Sequence, residues 1–204
     1  MEIDDEQLDK LREIGNIGAG NASNALSQMT DEKIDIGFPD IDAMRIEDIP
    51  ERIGKRSKIH TLIRVEVKVE REGEKVYLGT LMLILDMESA HVLAEHLLGK
   101  EVEGGQQLTS QEESALKETG NILTGATLSA MTEWVDLKLQ EEVPDIKTDM
   151  LGAVMDEILL KMARTEDEAL VFQTDFSFRE ELNSYFIFLF SKNGRELILQ
   201  ELSV

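Results

Sequence analysis

The chain has no cysteine among its 204 residues, so disulfides, thiolate metal centres and a cysteine nucleophile are excluded. Cations are scarce: 21 Lys and Arg stand against 42 Asp and Glu, a formal net charge of −21. Such a surface repels nucleic-acid backbones and anionic lipid, so neither is expected as a partner. Solubility accounts for the charge more simply than an acidic binding site does. Long apolar runs are missing as well. LMLIL at 81–85 and YFIFLF at 185–190 fall far short of the ~20 residues that cross a bilayer. The opening MEIDDEQLDK lacks the basic-then-apolar order of a secretory signal, and a soluble cytoplasmic protein is expected. With 42% hydrophobic and 31% charged residues, the composition is that of a globular chain rather than a disordered one.

Several familiar chemistries are absent from the pattern. No G-x-x-x-x-G-K-[ST] loop occurs, and after Gly18 and Gly20 the third glycine of a dinucleotide fingerprint is replaced by Ser23, with no room for a preceding strand. The histidines are His60, His91 and His96. The last two are five apart, a poor spacing for one helix face, so surface or helix-terminal positions are expected rather than a metal site or a triad. Met150, Met155 and Met162 read as core filler at helical spacing.

What is present is a repeat. LREIGNIGAG at 11–20 aligns with LKETGNILTG at 116–125, an offset of 121 − 16 = 105 residues. The same offset carries Pro39-Asp40-Ile41 onto Pro144-Asp145-Ile146, and as pattern rather than identity the strand-like GTLMLILD at 79–86 falls on NSYFIFLFS at 183–191 and the helical 90–98 on 195–203. Each half reads as a long amphipathic helix, short strands about the Pro-Asp-Ile, a hairpin and a closing helix. Val65, Val67 and Val69 share one face of the first hairpin, and EREGEK supplies its turn; Leu170–Phe190 repeats it. Between the halves, GKEVEGGQQLTS is a glycine-rich linker, and Thr109 or Ser110 followed by Glu112 or Glu113 starts a helix. The expectation is one α+β domain over 1–204, built of halves 1–104 and 105–204, with a mostly antiparallel sheet and helices packed on it about a pseudo-twofold axis. Two independently folded domains are the alternative, disfavoured by the short linker.

Within the first helix, EIGNIGAGNASNALSQM holds Gly15, Gly18 and Gly20. A mid-helix glycine costs about 1 kcal/mol relative to alanine, so three need a compensating reason. At 3.6 residues per turn, Glu13, Asn16 and Gly20 fall on one stripe and Leu11, Ile14, Ala22, Ala25 and Met29 on the opposite side. In the second helix Glu118, Asn121 and Gly125 form the same stripe, opposite Leu116, Thr119, Leu123, Ala130 and Trp134. A glycine on a solvent face has no packing purpose inside the domain, but it lets a partner approach closely. Gly15 and Gly120 point sideways and are expected to permit close helix–sheet contact. Asparagine carries a donor and an acceptor and does not titrate, so it orients water rather than acting as a base. The glutamate can pair with a partner's lysine.

The spacing [DS]-x-x-x-E-x-x-N, twenty-two residues, then Pro, occurs twice: Asp9, Glu13, Asn16, Pro39 and Ser114, Glu118, Asn121, Pro144. It resembles the pattern of the CheC-type phosphatases of prokaryotic chemotaxis, over essentially the whole chain. The resemblance implies a phosphatase acting on the aspartyl phosphate of the response regulator CheY. Asn16 and Asn121 would position the attacking water, and Glu13 and Glu118 would contact the regulator's lysine. It implies no cofactor of the chain's own, the Mg²⁺ being bound by the regulator. Asp149 in TDM at 148–150 resembles the region that contacts the receptor deamidase CheD in some members. A non-catalytic adaptor binding CheD or phosphorylated CheY is the competing reading. Related flagellar switch proteins carry a further C-terminal domain, so a built-in motor role is not expected.

Overall fold

The computed structural model describes residues 5–31, 33–37, 40–71, 73–102, 104–105, 107–162, 168–178 and 184–203. The chain opens with helix α1 (Asp5–Thr30), then strands β1 (Ile34–Ile36) and β2 (Asp40–Arg45). A 3₁₀ turn and the short α2 (Ile49–Ile53) lead into the hairpin β3 (Ile59–Arg71) and β4 (Glu74–Asp86), closed by α3 (Met87–Leu98). The second half follows the same order: α4 (Ser110–Thr132), β5 (Lys138–Glu141), β6 (Asp145–Met150), α5 (Leu151–Met162), β7 (Glu168–Phe178), β8 (Ser184–Phe190) and α6 (Lys192–Leu202).

Among the described residues the eight strands join one antiparallel sheet, in which β4 and β8 pair at the centre. Met82 stands opposite Ile187, flanked by Leu81 opposite Phe188 and Leu83 opposite Phe186. Since 187 − 82 = 105, this register maps onto itself under exchange of the halves, and the twofold axis passes between Met82 and Ile187. The outer strands are interlaced. β1 and β2 pair with β7 of the other half, and β5 and β6 pair with β3. One constant offset does not describe every element. Leu170 takes the place of Thr61 (170 − 61 = 109), because α5 is longer than its counterpart, and the difference is recovered before β8.

The sheet is covered on both faces, which explains the unbroken apolar runs LMLIL and YFIFLF. In a strand, neighbouring side chains point to opposite faces, so both parities must be apolar when both faces are buried. Leu81, Leu83, Leu85, Phe186, Phe188 and Phe190 pack under α1, α3, α4 and α6. Met82, Ile84, Ile187 and Leu189 pack under α2 and α5. Both closing helices are capped alike: Asp86 accepts from the Ser89 N–H and Ser191 from the Gly194 N–H, in each case the orphan donor three residues on. A Cβ at Gly194 would lie 1.9 Å from the Leu78 carbonyl oxygen, so no side chain fits where α6 meets β4.

The start of α4 is fixed by a capping box: Thr109 accepts from Glu112 N–H, and the Glu112 carboxylate accepts from the Thr109 N–H and hydroxyl at 2.7 Å each. His91 does not lie at the surface as its sequence context suggests. It is buried and its Nδ1 stands 2.6 Å from Glu112 Oε1. A carboxylate only accepts, so Nδ1 donates, while Nε2 lies against the Gly105 backbone, 3.1 Å from its carbonyl oxygen and 3.2 Å from its nitrogen. The ring thereby fastens α3, the linker and α4 together. His60 is buried too. Met155 fills the core as expected, whereas Met150 is half exposed and the side chain of Met162 lies outside the described residues.

Burial pushes the Glu112 carboxyl up, but the Thr109 and His91 hydrogen bonds outweigh it and hold the group below the ordinary range. A carboxyl depressed on folding adds stability above its unfolded value near 4.3, and that stability is lost as pH falls through the folded value. Replacing Glu112 by Ala is expected to cost about 1–3 kcal/mol at pH 7, leaving the Thr109 and His91 donors unmatched. Thermal melts between pH 7 and pH 3 should show the parent losing more stability than the variant.

Candidate functional site

The two predicted stripes lie on adjacent helices. α1 and α4 pack side by side; a Cβ on Gly18 would rest 3.4 Å from Thr127 Cα and 3.7 Å from Ala130 Cβ. Gly18 therefore serves helix–helix contact, a role the sequence pattern does not reveal. On α1, Leu11, Ile14 and Ala22 are buried as expected, and Ala25 is half-buried; on α4, so are Leu116, Thr119, Leu123 and Ala130. Two positions assigned to the buried faces depart from them. Met29 is 40% exposed at the end of α1, and Trp134 is 40% exposed because α4 stops at Thr132 and the chain turns away.

Glu13 and Glu118 are exposed, and Asn16 and Asn121 are half-buried one turn further on. Among the described residues none of these four side chains has a hydrogen-bond or ion-pair partner. Each stripe ends on its glycine. A Cβ at Gly20 would meet nothing within 4 Å, and one at Gly125 only Glu141 Oε2 at 3.8 Å. A Cβ at Gly120 would sit 2.5 Å from Ile63 Cγ2, so this glycine does permit close helix–sheet contact. Gly15 lines a cavity of about 30 Å³ with Ala19, Leu81, Phe172 and Phe188.

Of the other motif positions, Asp9 is exposed and ion-paired to Arg12 at 3.4 Å, and Ser114 is exposed. Pro39 lies outside the described residues, while Pro144 is half-buried on the approach to β6. The aspartates that follow the prolines are ion-paired at the surface: Asp40 with Arg52, and Asp145 with Arg64 at 2.9 Å. Asp149 is exposed on β6, its carboxylate accepting the Met150 N–H at 2.7 Å, beside the half-exposed Met150 and Ile59. The sequence reading overlooked Glu141, which reaches over Gly125 and lines an open groove beside the second stripe with Leu128, Ser129, Thr132, Leu139 and Gln140. The repeat offset could have flagged it, since 141 − 105 = 36 sets it against Ile36. Among the described residues no three His, Asp or Glu side chains form a metal-binding cluster, and no helix is long and apolar enough to cross a membrane.

Residues 6–41 match the CheC-like family. The chain is 31% identical over 195 residues to the CheY-P phosphatase CheC of Bacillus subtilis (strain 168), covering 92% of this chain and 89% of that protein. The chain belongs to the CheC-like family. Among solved structures, Thermotoga maritima FliY superposes with a TM-score of 0.72 at 19% identity, over 100% of this chain and 98% of that one. A chain from the CheX–CheY–BeF₃–Mg²⁺ complex of Borrelia burgdorferi superposes with a TM-score of 0.55 at 15% identity, over 87% of this chain and 97% of that one.

The stripe and contact glycines should separate in a stability assay. Gly20→Ala adds helix propensity without a clash and is expected to stabilise by up to about 1 kcal/mol. Gly120→Ala forces α4 off Ile63, and overpacking of about 1–3 kcal/mol outweighs the propensity gain. Urea unfolding of both variants beside the parent reads the two signs.

Proposed function

We propose that the chain is a phosphatase for the phosphorylated response regulator CheY, with two sites, one on α1 and one on α4. The observation that carries this reading is the pair of outward stripes in which an unpartnered glutamate precedes a half-buried, unpartnered asparagine and a glycine clears the approach. Family membership, and a relative named as a CheY-P phosphatase, support the substrate. Glu13 or Glu118 pairs with the regulator's lysine and sets the register of docking. Asn16 or Asn121 then enters the regulator's site and holds a water in line with the phosphorus. The water oxygen bonds to phosphorus as the bond to the aspartyl oxygen breaks, leaving a free carboxylate and inorganic phosphate. The regulator supplies the Mg²⁺ that balances charge on the phosphoryl oxygens, and the asparagine supplies position rather than proton transfer.

The exposed Asp149, beside Met150 and Ile59 on β6, favours a second reading in which this strand contacts a protein such as the receptor deamidase CheD. The adaptor role would then operate at a surface separate from the stripes.

Phosphate release from phosphorylated CheY tests the first reading. Asn16→Ala with Asn121→Ala is expected to lower the acceleration about 100-fold, and each single variant to keep one working site. Hydrolysis at the parent rate by the double variant overturns the proposal. Gly20→Ala in an Asn121→Ala background is expected to lose activity although it gains stability. Unchanged phosphate lifetime together with complex formation would assign the protein to the adaptor role.

A further inference from the structure

The two stripes differ in what borders them. Beside Gly125 stands the carboxylate of Glu141, its Oε2 3.8 Å from the position of a Cβ there. The groove it lines is open to solvent and encloses about 510 Å³ along α4 and β5. In the first half the same place belongs to Ile36. Strand register establishes the equivalence: Glu141 pairs with Val67, and Ile36 with Phe176, which is 109 residues further on.

Glu141 is also the odd one out among the acids of this edge. Lys68 is committed to Glu142 at 2.9 Å, Lys75 reaches that same carboxylate at 4.0 Å, and Lys138 holds Glu70 at 2.6 Å. Those pairings lower the Glu142 and Glu70 carboxyls. Among the described residues Glu141 has no cation; its side chain is exposed at the rim of the groove, and the desolvation it does undergo raises its carboxyl above the ordinary range. A carboxylate with no cation of its own, at the rim of an open groove, is placed to take one arriving on a partner.

We infer that Glu141 is a specificity determinant of the second stripe, taking a lysine or arginine side chain of the docked regulator into the groove between α4 and β5. The inference rests on the phosphatase reading and makes the two sites unequal. The first docks through its glutamate alone beside an apolar Ile36, and the second through Glu118 and Glu141 together. The contact lies off the reacting atoms, so it governs encounter and affinity rather than the chemical step.

The test isolates the second stripe. Asn16→Ala removes the first site's amide, and Gly20→Trp, projecting into open space, blocks its approach. In that background Glu141→Gln is expected to raise KM for phosphorylated regulator about three- to tenfold with kcat unchanged. Glu141→Asp should restore most of the loss, and the difference between Glu and Gln should shrink as salt rises from about 0.05 to 0.5 M. Affinity for regulator held in its beryllofluoride form is measured in parallel, with no hydrolysis required. Weakened binding by Glu141→Gln without any phosphate release from its Glu141 parent would uphold the contact and sink the phosphatase reading. Unchanged KM and affinity, a fall in kcat alone, or no complex through the second stripe would each overturn the inference.

Discussion

The antiparallel contact of β4 with β8 is the constraint on which the rest of the molecule depends. Met82 and Ile187 face each other across the axis, and every other strand is placed by its distance from that pair. Because both strands are central and both faces are covered, the runs Leu81 to Leu85 and Phe186 to Phe190 are apolar at every position, and two separate cores form above and below. The larger core carries four helices, and the two long ones meet along Gly18, Thr127 and Ala130. The stripes inherit their positions from this arrangement. Each helix buries one side against the sheet, so its remaining side has to face outward.

Glycine has three uses along these helices, and the same residue type carries opposite energetic signs. Gly120 and Gly18 remove bulk where backbone meets side chain inside the protein; Gly20 and Gly125 remove bulk where nothing in the protein would object. The helix gives up about 1 kcal/mol of propensity at each, and only the inner ones recover it in packing. An uncompensated outer glycine is what local stability alone would not select. It marks surface shaped for something other than folding.

The duplication, the alternating hairpin and the stripes were legible because they are periodic: Glu13, Asn16 and Gly20 recur as Glu118, Asn121 and Gly125, and 3.6 residues per turn places them together. The Thr109–Glu112 box was legible because capping is local. Long-range features were hidden. Gly18 gives no sign that its neighbour is Thr127, and His91 gives none that it meets Glu112 and Gly105. Trp134 misled because helical phase was extended past the true end at Thr132. Glu141 escaped notice because it breaks the repeat rather than keeping it, and attention to matches passes over a mismatch.

The interlacing of strands has a consequence for how the protein comes into being. Ile34 pairs with Phe178 and Asp40 with Gln173, so the strands that follow the first helix have no edge to join until β7 has left the ribosome. Contacts so distant in sequence slow folding and leave early strands bare in the meantime. Premature termination anywhere before β7 would therefore yield an incomplete first half as well as a missing second one. The abundance of negative charge on the nascent segment would help keep it dispersed during that wait.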